Sequence, residues 1–360
     1  MTGARTTRER TGERGIALLL VMWIFMVLGV LSLDFARYMR DDGQAAINFE
    51  EETIGYYVAL AGMNRVIYEA QVARDQLLTT PVTNADAERR PGRDREDDDE
   101  DARVPADGQW HDGEFAGRRY SVRLTDEGGR IALNKADETL LTHVVRSLYQ
   151  GFNATTGLDK RASDSIAEIV DAIQDWRDVD DVTHLHGAEN EYYLGLKNPY
   201  PAKNGFFDSP EELLLVKGIT PELFYGHDGV PGLRDIFTVY SRASTVNVRT
   251  APPAVLQVIL NVDAATVTDL LAEREAAGEG FLALVQAQAT TIDPRLAALL
   301  VDQEPAIVTI DARADTKLDT NLSRVQVVAD LSSEEAEGAK VIRWLDRAPW
   351  EGGLPGGDAS

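Results

Sequence analysis

The chain has 360 residues and a net charge of −24 at pH 7, from 60 acidic and 36 basic side chains. This excess of acid argues against binding to nucleic acids or anionic membrane surfaces, because both require clustered Lys and Arg. An acidic surface is better suited to binding divalent cations, but the net charge does not indicate which cation. Cysteine is absent, so disulfide bonds stabilise no part of the fold, and the length predicts two or three domains.

The first feature along the chain is an uncharged apolar run at residues 16–33, which follows an arginine-rich head. At ~1.5 Å per residue, a helix of this length just crosses a hydrocarbon core of ~30 Å. The positive head, residues 1–15, is expected to stay in the cytoplasm, which sends the rest of the chain across the membrane. We therefore predict a single-pass membrane protein.

The residues at the two ends of this run help to distinguish three kinds of N-terminal segment: a cleaved secretory signal, a signal anchor and a prepilin-type leader. A secretory signal ends in a small-x-small cleavage site, and residues 34–38 (DFARY) offer no good one. Gly15 stands directly between the charged head and Ile16. This junction is typical of a prepilin-type leader that is cleaved between Gly15 and Ile16. A plain signal anchor, in which Gly15 is incidental, fits the same residues equally well.

A long helix is expected beyond the apolar run. Apolar residues recur at three- and four-residue steps, and no proline occurs before Pro81. The pattern predicts one continuous helix whose part outside the membrane, residues 34–80, is a spine. Two helices are the alternative, with a break at residues 41–43, where Asp-Asp-Gly lowers the helix propensity.

A charge-rich segment follows the spine. Residues 96–101 are six consecutive acids, and blocks of like charge repel each other and remain solvated. We predict a flexible acidic loop over residues 81–116. The glycine-rich end of the chain, residues 351–360, is predicted to be a disordered tail.

Strand patterns flank a long helical block. Alternating residues and a turn predict strands within residues 117–133, and comparable patterns return only within residues 301–350, at 307–312, 324–329 and 340–345. Residues 134–300 between them have helical patterns. This order predicts an α+β, pilin-like fold, in which the long N-terminal helix packs on a small antiparallel sheet and the sheet carries a large inserted α-helical domain.

Residues 209–220 in the helical block resemble a helix-hairpin-helix unit. Ser209 can cap a helix, Pro210 suits its first position, and Gly218 can make the turn. Such units bind DNA phosphates in other proteins, but Glu211 and Glu212 oppose that function here. We interpret the unit as a packing element.

The segment most typical of a binding site follows an amphipathic helix. Carboxylates occur at alternate positions within residues 175–181, and a second acidic cluster follows at residues 187–193. Such clusters can supply the hard oxygen ligands that calcium requires. The spacing is not that of an EF-hand, and a solvated acidic loop fits it as well. His184 and His186 beside exposed carboxylates would make a poor tetrahedral zinc site.

The sequence gives little support to an enzyme. It contains no Gly-x-Ser-x-Gly elbow, P-loop, His-Glu-x-x-His or Gly-x-Gly-x-x-Gly motif. We therefore predict that the protein is not an enzyme.

The run DAIQDWRDVDD…GAENEYYLGLKNPYPAKNGFFDSPEELLLVKGITPELF resembles the general secretion pathway protein K family, the minor pseudopilins of type II secretion systems. The N-terminal RGIALLLVMWIFMVLGVLSLDFAR and the late strands fit that family in the same order. Ordinary pseudopilins carry a glutamate at the fifth mature position. Counted from Ile16, this position is Leu20, and the protein K family also lacks the glutamate.

The resemblance implies a pilin fold with an inserted α-domain in the bacterial inner membrane, with the soluble part in the periplasm. It also implies leader cleavage by a prepilin peptidase, methylation, and minor pseudopilins I and J as partners. A calcium site is implied in the pilin-like part. The candidate ligands are Asp178, Asp180 and Glu189, with Asp181 and Glu191 as substitutes or ligands of a second ion.

Leu20 and the insertion together predict a position at the tip of the pseudopilus. A carboxylate in lipid is costly and needs a partner, so a subunit without one pairs with no subunit ahead of it. A bulky insertion would collide with subunits stacked above. The alternative function is a membrane-anchored periplasmic calcium-binding adaptor of another envelope machine.

Overall fold

The structure is a computed structural model that describes residues 13–79, 104–152, 160–277, 280–315, 323–332 and 339–346. Most of the predicted leader, most of the predicted acidic loop and the predicted C-terminal tail lie outside these residues. The element bounds given below refer to the described residues alone.

Helix α1 runs from Glu13 to Thr79 without interruption. It passes through residues 41–43 unbroken, as the single-helix interpretation predicted, and the alternative of two helices is wrong. The segment Ile16–Ala70 contains a window with a mean hydropathy of 2.8, none of which is buried. It is the one unbroken helix among the described residues that is long and apolar enough to cross a membrane.

Five strands form one antiparallel sheet in which each strand pairs with the next along the chain. The strands are β1 (Asp107–Phe115), β2 (Arg118–Asp126), β3 (Ile307–Ala314), β4 (Ser323–Asp330) and β5 (Lys340–Asp346). The three late strands lie where the sequence predicts them. The prediction of a loop over residues 81–116 is wrong for β1, whose side chains are mostly polar and partly exposed. A tight turn at Ala116 and Gly117, both with positive φ, joins β1 to β2.

The C-terminal half of α1 packs on one face of this sheet. Gly62 allows the close approach, because a Cβ atom at that position would lie 2.4 Å from the Tyr120 ring. The buried contact face of α1 consists of Val58, Ala59, Met63 and Val66, which meet apolar side chains of β2, β3 and β4. This packing is the predicted α+β arrangement.

The direction of β2 along α1 is given by two contacts. Arg118, at the start of β2, forms a two-point ion pair with Glu51, with N–O distances of 2.8 and 3.0 Å. Tyr120 lies against Gly62 and accepts a hydrogen bond from Arg65. Strand β2 therefore advances toward the C-terminal end of α1, away from the apolar N-terminal part.

The chain between β2 and β3, which we call the helical insertion, has its own apolar core. It leaves the sheet after Asp126 and returns at Ile307, whose neighbour Val308 pairs with Asp126. The insertion therefore projects from the end of the sheet that lies away from the apolar part of α1. Its helices are α2 (Glu138–Phe152), α3 (Lys160–Arg177), α4 (Asn190–Leu194), α5 (Pro221–Tyr225), α6 (Leu233–Ile236), α7 (Pro253–Leu260), α8 (Ala264–Ala277), α9 (Phe281–Ile292) and α10 (Pro294–Leu299).

Short parallel ladders and 3-10 turns complete the insertion. Ile131–Ala132 pairs with Phe237–Thr238, and Val246–Asn247 pairs with Leu300–Val301. The strand predicted after the turn at residues 127–129 therefore pairs within the insertion and not with β2. The predicted hairpin unit has a 3-10 turn at Pro210–Leu215, Gly218 with a φ of +83°, and α5. Ser209 makes no side-chain capping bond, so that detail of the prediction is wrong.

Two buried acids join the sheet to the insertion. Asp126 accepts hydrogen bonds from Asn247 Nδ2 at 2.8 Å, Thr250 Oγ1 at 2.7 Å and the Gly128 amide at 2.8 Å. Glu127 accepts hydrogen bonds from the hydroxyls of Thr238 and Thr309. Asp126 of β2 thus receives its donors from the insertion, and Glu127 receives one donor from the insertion and one from β3. These bonds fix the insertion on the sheet.

Candidate metal centre

Two histidines and a lysine hold the loop between α3 and α4 in place. His184 donates its backbone amide to Asp175 Oδ1 at 3.1 Å, and its Nδ1 lies against the same oxygen. His186 makes the equivalent pair of contacts with Asp171, one helical turn earlier. Lys217 Nζ donates to the carbonyl oxygens of His186 and Gly187, both at 3.2 Å. The loop is therefore fixed on α3 although it is open to solvent.

Five buried oxygen atoms in this region have no hydrogen-bond partner among the described residues. They come from helix α3, the loop itself, the cap position of α4 and a segment that packs beside them. The atoms are Asp175 Oδ2, Asp178 Oδ1, both Glu189 carboxylate oxygens and Asn204 Oδ1. Buried polar atoms are almost always hydrogen-bonded, and unpaired buried charges are costly. These atoms belong to four residues, Asp175, Asp178, Glu189 and Asn204, which we call the orphan-oxygen group.

Burial and neighbouring carboxylates raise the pKa values of two acids in this group, Glu189 and Asp178. Burial, followed by the charges of Asp175, Asp178 and Asp181, raises the pKa of Glu189 to about 7. Burial and the charges of Asp180 and Asp175 likewise raise the pKa of Asp178. The hydrogen bond to Asp175 raises the pKa of His184, against the effect of burial. A bound cation would remove this repulsion between the carboxylates.

The oxygen atoms of the orphan-oxygen group are of the type that hard divalent cations bind. Carboxylate and amide oxygens are the usual ligands of calcium, which takes six to eight oxygens. Asp175, Asp178 and His184 also offer ligand atoms within 4.8 Å of one another, and imidazole is more typical of zinc. His184 Nδ1 already contacts Asp175, whereas the orphan oxygens have no partner among the described residues.

Gly187 makes the close packing of this group possible. A Cβ atom at this position would lie 1.9 Å from Asp175 Oδ2, one of the orphan oxygens. Any larger side chain would therefore displace the carboxylate. The group lies in the helical insertion, whereas the family resemblance implied a calcium site in the pilin-like part.

The sequence-predicted ligands occupy different places in this arrangement. Asp178 and Glu189 belong to the orphan-oxygen group. Asp181 Oδ1 accepts hydrogen bonds from Asn190 and Asn204, at 2.9 and 3.0 Å. Asp180 is exposed and accepts the Val182 amide at 2.9 Å, and Glu191 is exposed. Their roles as calcium ligands stay predictions.

Three members of the site were not among the sequence-predicted ligands. Asp175 is fully buried, and its position three residues after Ala172 on the apolar face of α3 was the available signal. Asn204 has a positive φ of 46°, which is uncommon for a residue other than glycine. His184 lies within the acidic segment of the sequence and was considered only as a zinc ligand, whereas Asn204 has no sequence signal that links it to the acids.

Comparisons with known proteins agree on one family. Residues 132–225 match the family model of protein K of the type II secretion system (T2SS). A curated type II secretion system protein K from Aeromonas hydrophila is 40% identical over 58 residues, a segment that spans 16% of this chain and 18% of that protein.

A solved structure, the GspK–GspI–GspJ complex of the type 2 secretion system from enterotoxigenic Escherichia coli, resembles the chain more weakly. The similarity has a TM-score of 0.48 at 13% identity, over 67% of this chain and 84% of that one. Residues 132–225 are thus similar to protein K of the type II secretion system, in agreement with the predicted family.

Proposed function

We propose that the protein is a minor pseudopilin that caps the tip of the type II secretion pseudopilus and initiates its assembly for protein export across the outer membrane. The observation that carries this proposal is the placement of the helical insertion. A membrane-length apolar segment occupies one end of α1, and the insertion projects from the opposite end of the sheet. Such a subunit accepts neighbours beside and below it and blocks stacking above it.

The exposed part of α1 outside the apolar run supports helical partners. Ile47, Phe49 and Tyr57 are 53%, 69% and 62% exposed, and exposed apolar patches are typical of interaction surfaces. These residues lie on more than one side of α1, because positions two apart in a helix do not share a face. We propose that minor pseudopilins I and J cover these exposed positions. The solved complex named above contains a GspK, a GspI and a GspJ, which makes these partners the first to test.

We further propose that the protein acts by assembly and has no catalytic activity, with its soluble part in the periplasm and α1 in the inner membrane. In this proposal the orphan-oxygen group holds calcium. The ion would neutralise carboxylates on α3, the loop and α4, and would thereby fix the loop within the insertion.

Light scattering of the full chain in detergent, mixed with purified pseudopilins I and J, tests the tip position. We expect a discrete complex that contains one copy of this chain. Ile47→Glu and Phe49→Glu should each weaken the complex, because each places a charge at a proposed contact position. Leu284→Glu, at an exposed position of α9 in the helical insertion, is the matched control. Open-ended oligomers with several copies of this chain would contradict a tip position.

The mature N-terminus of protein recovered from membranes tests the proposed processing. Cleavage is expected between Gly15 and Ile16 by a prepilin peptidase, and Gly15→Val should leave the chain at full length. Gly29→Val is a matched control, because a Cβ atom at Gly29 meets no neighbouring atom within 4 Å. Retention of Met1 in the unmutated protein would contradict the pseudopilin assignment and favour a membrane-anchored adaptor.

A further inference from the structure

A groove of about 630 Å³ lies between strand β5 and the helical insertion. Residues 134–135, 206 and 239–242 of the insertion form one side, and the first residues of β5 form the other. Arg343 Nη1 donates to Tyr240 OH at 2.6 Å, which links β5 to the insertion beneath the groove. The groove is therefore a fixed feature of the junction.

The groove is positively charged although the chain carries a net charge of −24. None of the ten described residues that line it is acidic, and three are cations: Lys135, Arg242 and Lys340. Arg242 pairs with the buried carboxylate of Asp330 at 3.1 Å, yet its own side chain is 68% exposed. Lys135 lies over the Phe206 ring, 5.6 Å from its centroid.

The groove runs along an open edge of the sheet. Strand β5 is the last strand in the order of the sheet, so one row of its backbone groups pairs with no other strand among those described. Val341 and Ile342 beside this edge are 47% and 40% exposed, and Phe206 opposite them is 62% exposed. An edge with unpaired backbone groups and exposed apolar side chains is a template for an added strand.

Protection against aggregation explains only part of this arrangement. Edge strands commonly carry Lys or Arg to prevent pairing with other copies, and Lys340 and Arg343 fit that function. Lys135 and Arg242 do not, because they lie in the insertion, across the groove from the edge. Cations on both walls are the arrangement that complements a negatively charged segment between them.

We propose that this groove binds an extended acidic segment of a partner protein, which adds to the sheet as a strand beside β5. Backbone hydrogen bonds to the strand edge would supply affinity, and side chains on alternate positions would supply specificity. Carboxylates on one face of the segment would meet Lys135, Arg242 and Lys340. Apolar side chains between them would meet Phe206 and Val341. The proposal is independent of the tip function.

Fluorescence anisotropy with the full chain in a neutral detergent tests this proposal. The probe is a labelled peptide of about seven residues with alternating Glu and Val, a length typical of a strand. We expect this peptide to bind, and we expect its affinity to fall with added salt because the charges are exposed. A peptide with Lys in place of Glu should not bind. An acidic peptide with N-methyl groups on alternate amides should also fail, since it cannot pair with a strand edge.

Lys340→Glu should raise the Kd of the acidic peptide by at least about tenfold, equivalent to about 1.4 kcal/mol, and Lys135→Glu should act in the same direction. Lys197→Glu, at an exposed position on another part of the insertion, makes the same change in net charge and should leave the Kd unchanged. Equal effects of the three variants, unimpaired binding of the N-methylated peptide, or no binding at all would overturn the proposal. Displacement by inorganic phosphate at constant ionic strength would assign the groove to phosphate chemistry and also overturn it.

Discussion

The molecule contains two clusters of buried acids, and they differ in what surrounds them. At the junction of sheet and insertion, Asp126 and Glu127 accept hydrogen bonds from side chains drawn from distant parts of the chain. In the orphan-oxygen group, Asp175, Asp178 and Glu189 present buried oxygens that no described residue satisfies. The first cluster is satisfied within the chain, whereas the second keeps buried oxygens without a partner among the described residues.

The acids at the junction stabilise the fold, whereas the acids of the orphan-oxygen group are candidates for binding a cation. Folding desolvates a carboxylate at a cost that hydrogen bonds can offset. Asn, Thr and backbone amide donors offset that cost at the junction. At the orphan-oxygen group, Asp178 and Glu189 instead have other carboxylates as charged neighbours, so their desolvation is not offset in this way. The two clusters should therefore respond oppositely to removal of one negative charge.

The largest expected effect is the loss of the junction acid. Asp126→Ala leaves buried donors of Asn247 and Thr250 without this acceptor, and an unsatisfied buried group costs about 1–3 kcal/mol. We expect the free energy of unfolding to fall by about 3 kcal/mol, equally with calcium and with chelator. Urea denaturation of the full chain in detergent measures this change.

Asp269→Ala is the control for the junction variant, because Asp269 is exposed on α8. It should change the free energy of unfolding by less than about 0.5 kcal/mol. A calcium-dependent loss of stability in Asp126→Ala would mean that the two acid clusters are coupled, and would contradict their separation.

The next effect is the calcium response of the orphan-oxygen group. Calcium at about 100 times its Kd should stabilise the unmutated chain by about 2.7 kcal/mol. Asp178→Asn should abolish most of this increment. In chelator the same variant should be more stable than the unmutated chain, because it removes one of several mutually repelling buried charges. Asp180→Ala, at an exposed position, should retain more of the increment.

The same denaturation measurements can contradict this prediction in two ways. An unmutated chain with no calcium response would leave the interpretation of a solvated acidic loop. Destabilisation of Asp178→Asn in chelator would mean that the orphan-oxygen group is satisfied without a cation, like the junction.

The fold was predictable where periodic patterns are long. The steps of three and four residues in α1 and the alternation in β3 and β4 depend on local sequence alone. Strand β1 was missed because it is an edge strand with exposed polar residues, whose pattern differs little from that of a loop. The partner of Ile131–Ala132 could not be predicted, since it lies more than 100 residues away and pairing is set by tertiary structure.

The candidate site was predictable as a region but not as a set of atoms. Acidic clustering identified Asp178 and Glu189, because calcium ligands are commonly close in sequence. Asn204 lies on a separate segment and joins the group only through packing. Asp175 lies on the apolar face of α3, where periodicity indicates a core position, so an ionisable residue there was not weighed as a ligand.

The smallest expected effect is the pH dependence of calcium stabilisation. The pKa of Glu189 in the folded chain is about 7, above its ordinary value of 4.5. Between these values the calcium-free folded state keeps a proton that the unfolded state releases, so its stability falls as pH rises. Calcium requires the charged carboxylate, so the stabilisation by calcium should grow by about 1–2 kcal/mol from pH 5 to pH 7.5. Glu189→Gln should flatten this pH dependence. Glu191→Gln is the control, because Glu191 lies two residues away but is exposed, and it should leave the pH dependence intact. A pH dependence that survives in Glu189→Gln would assign the titration to another carboxylate and remove Glu189 from the site.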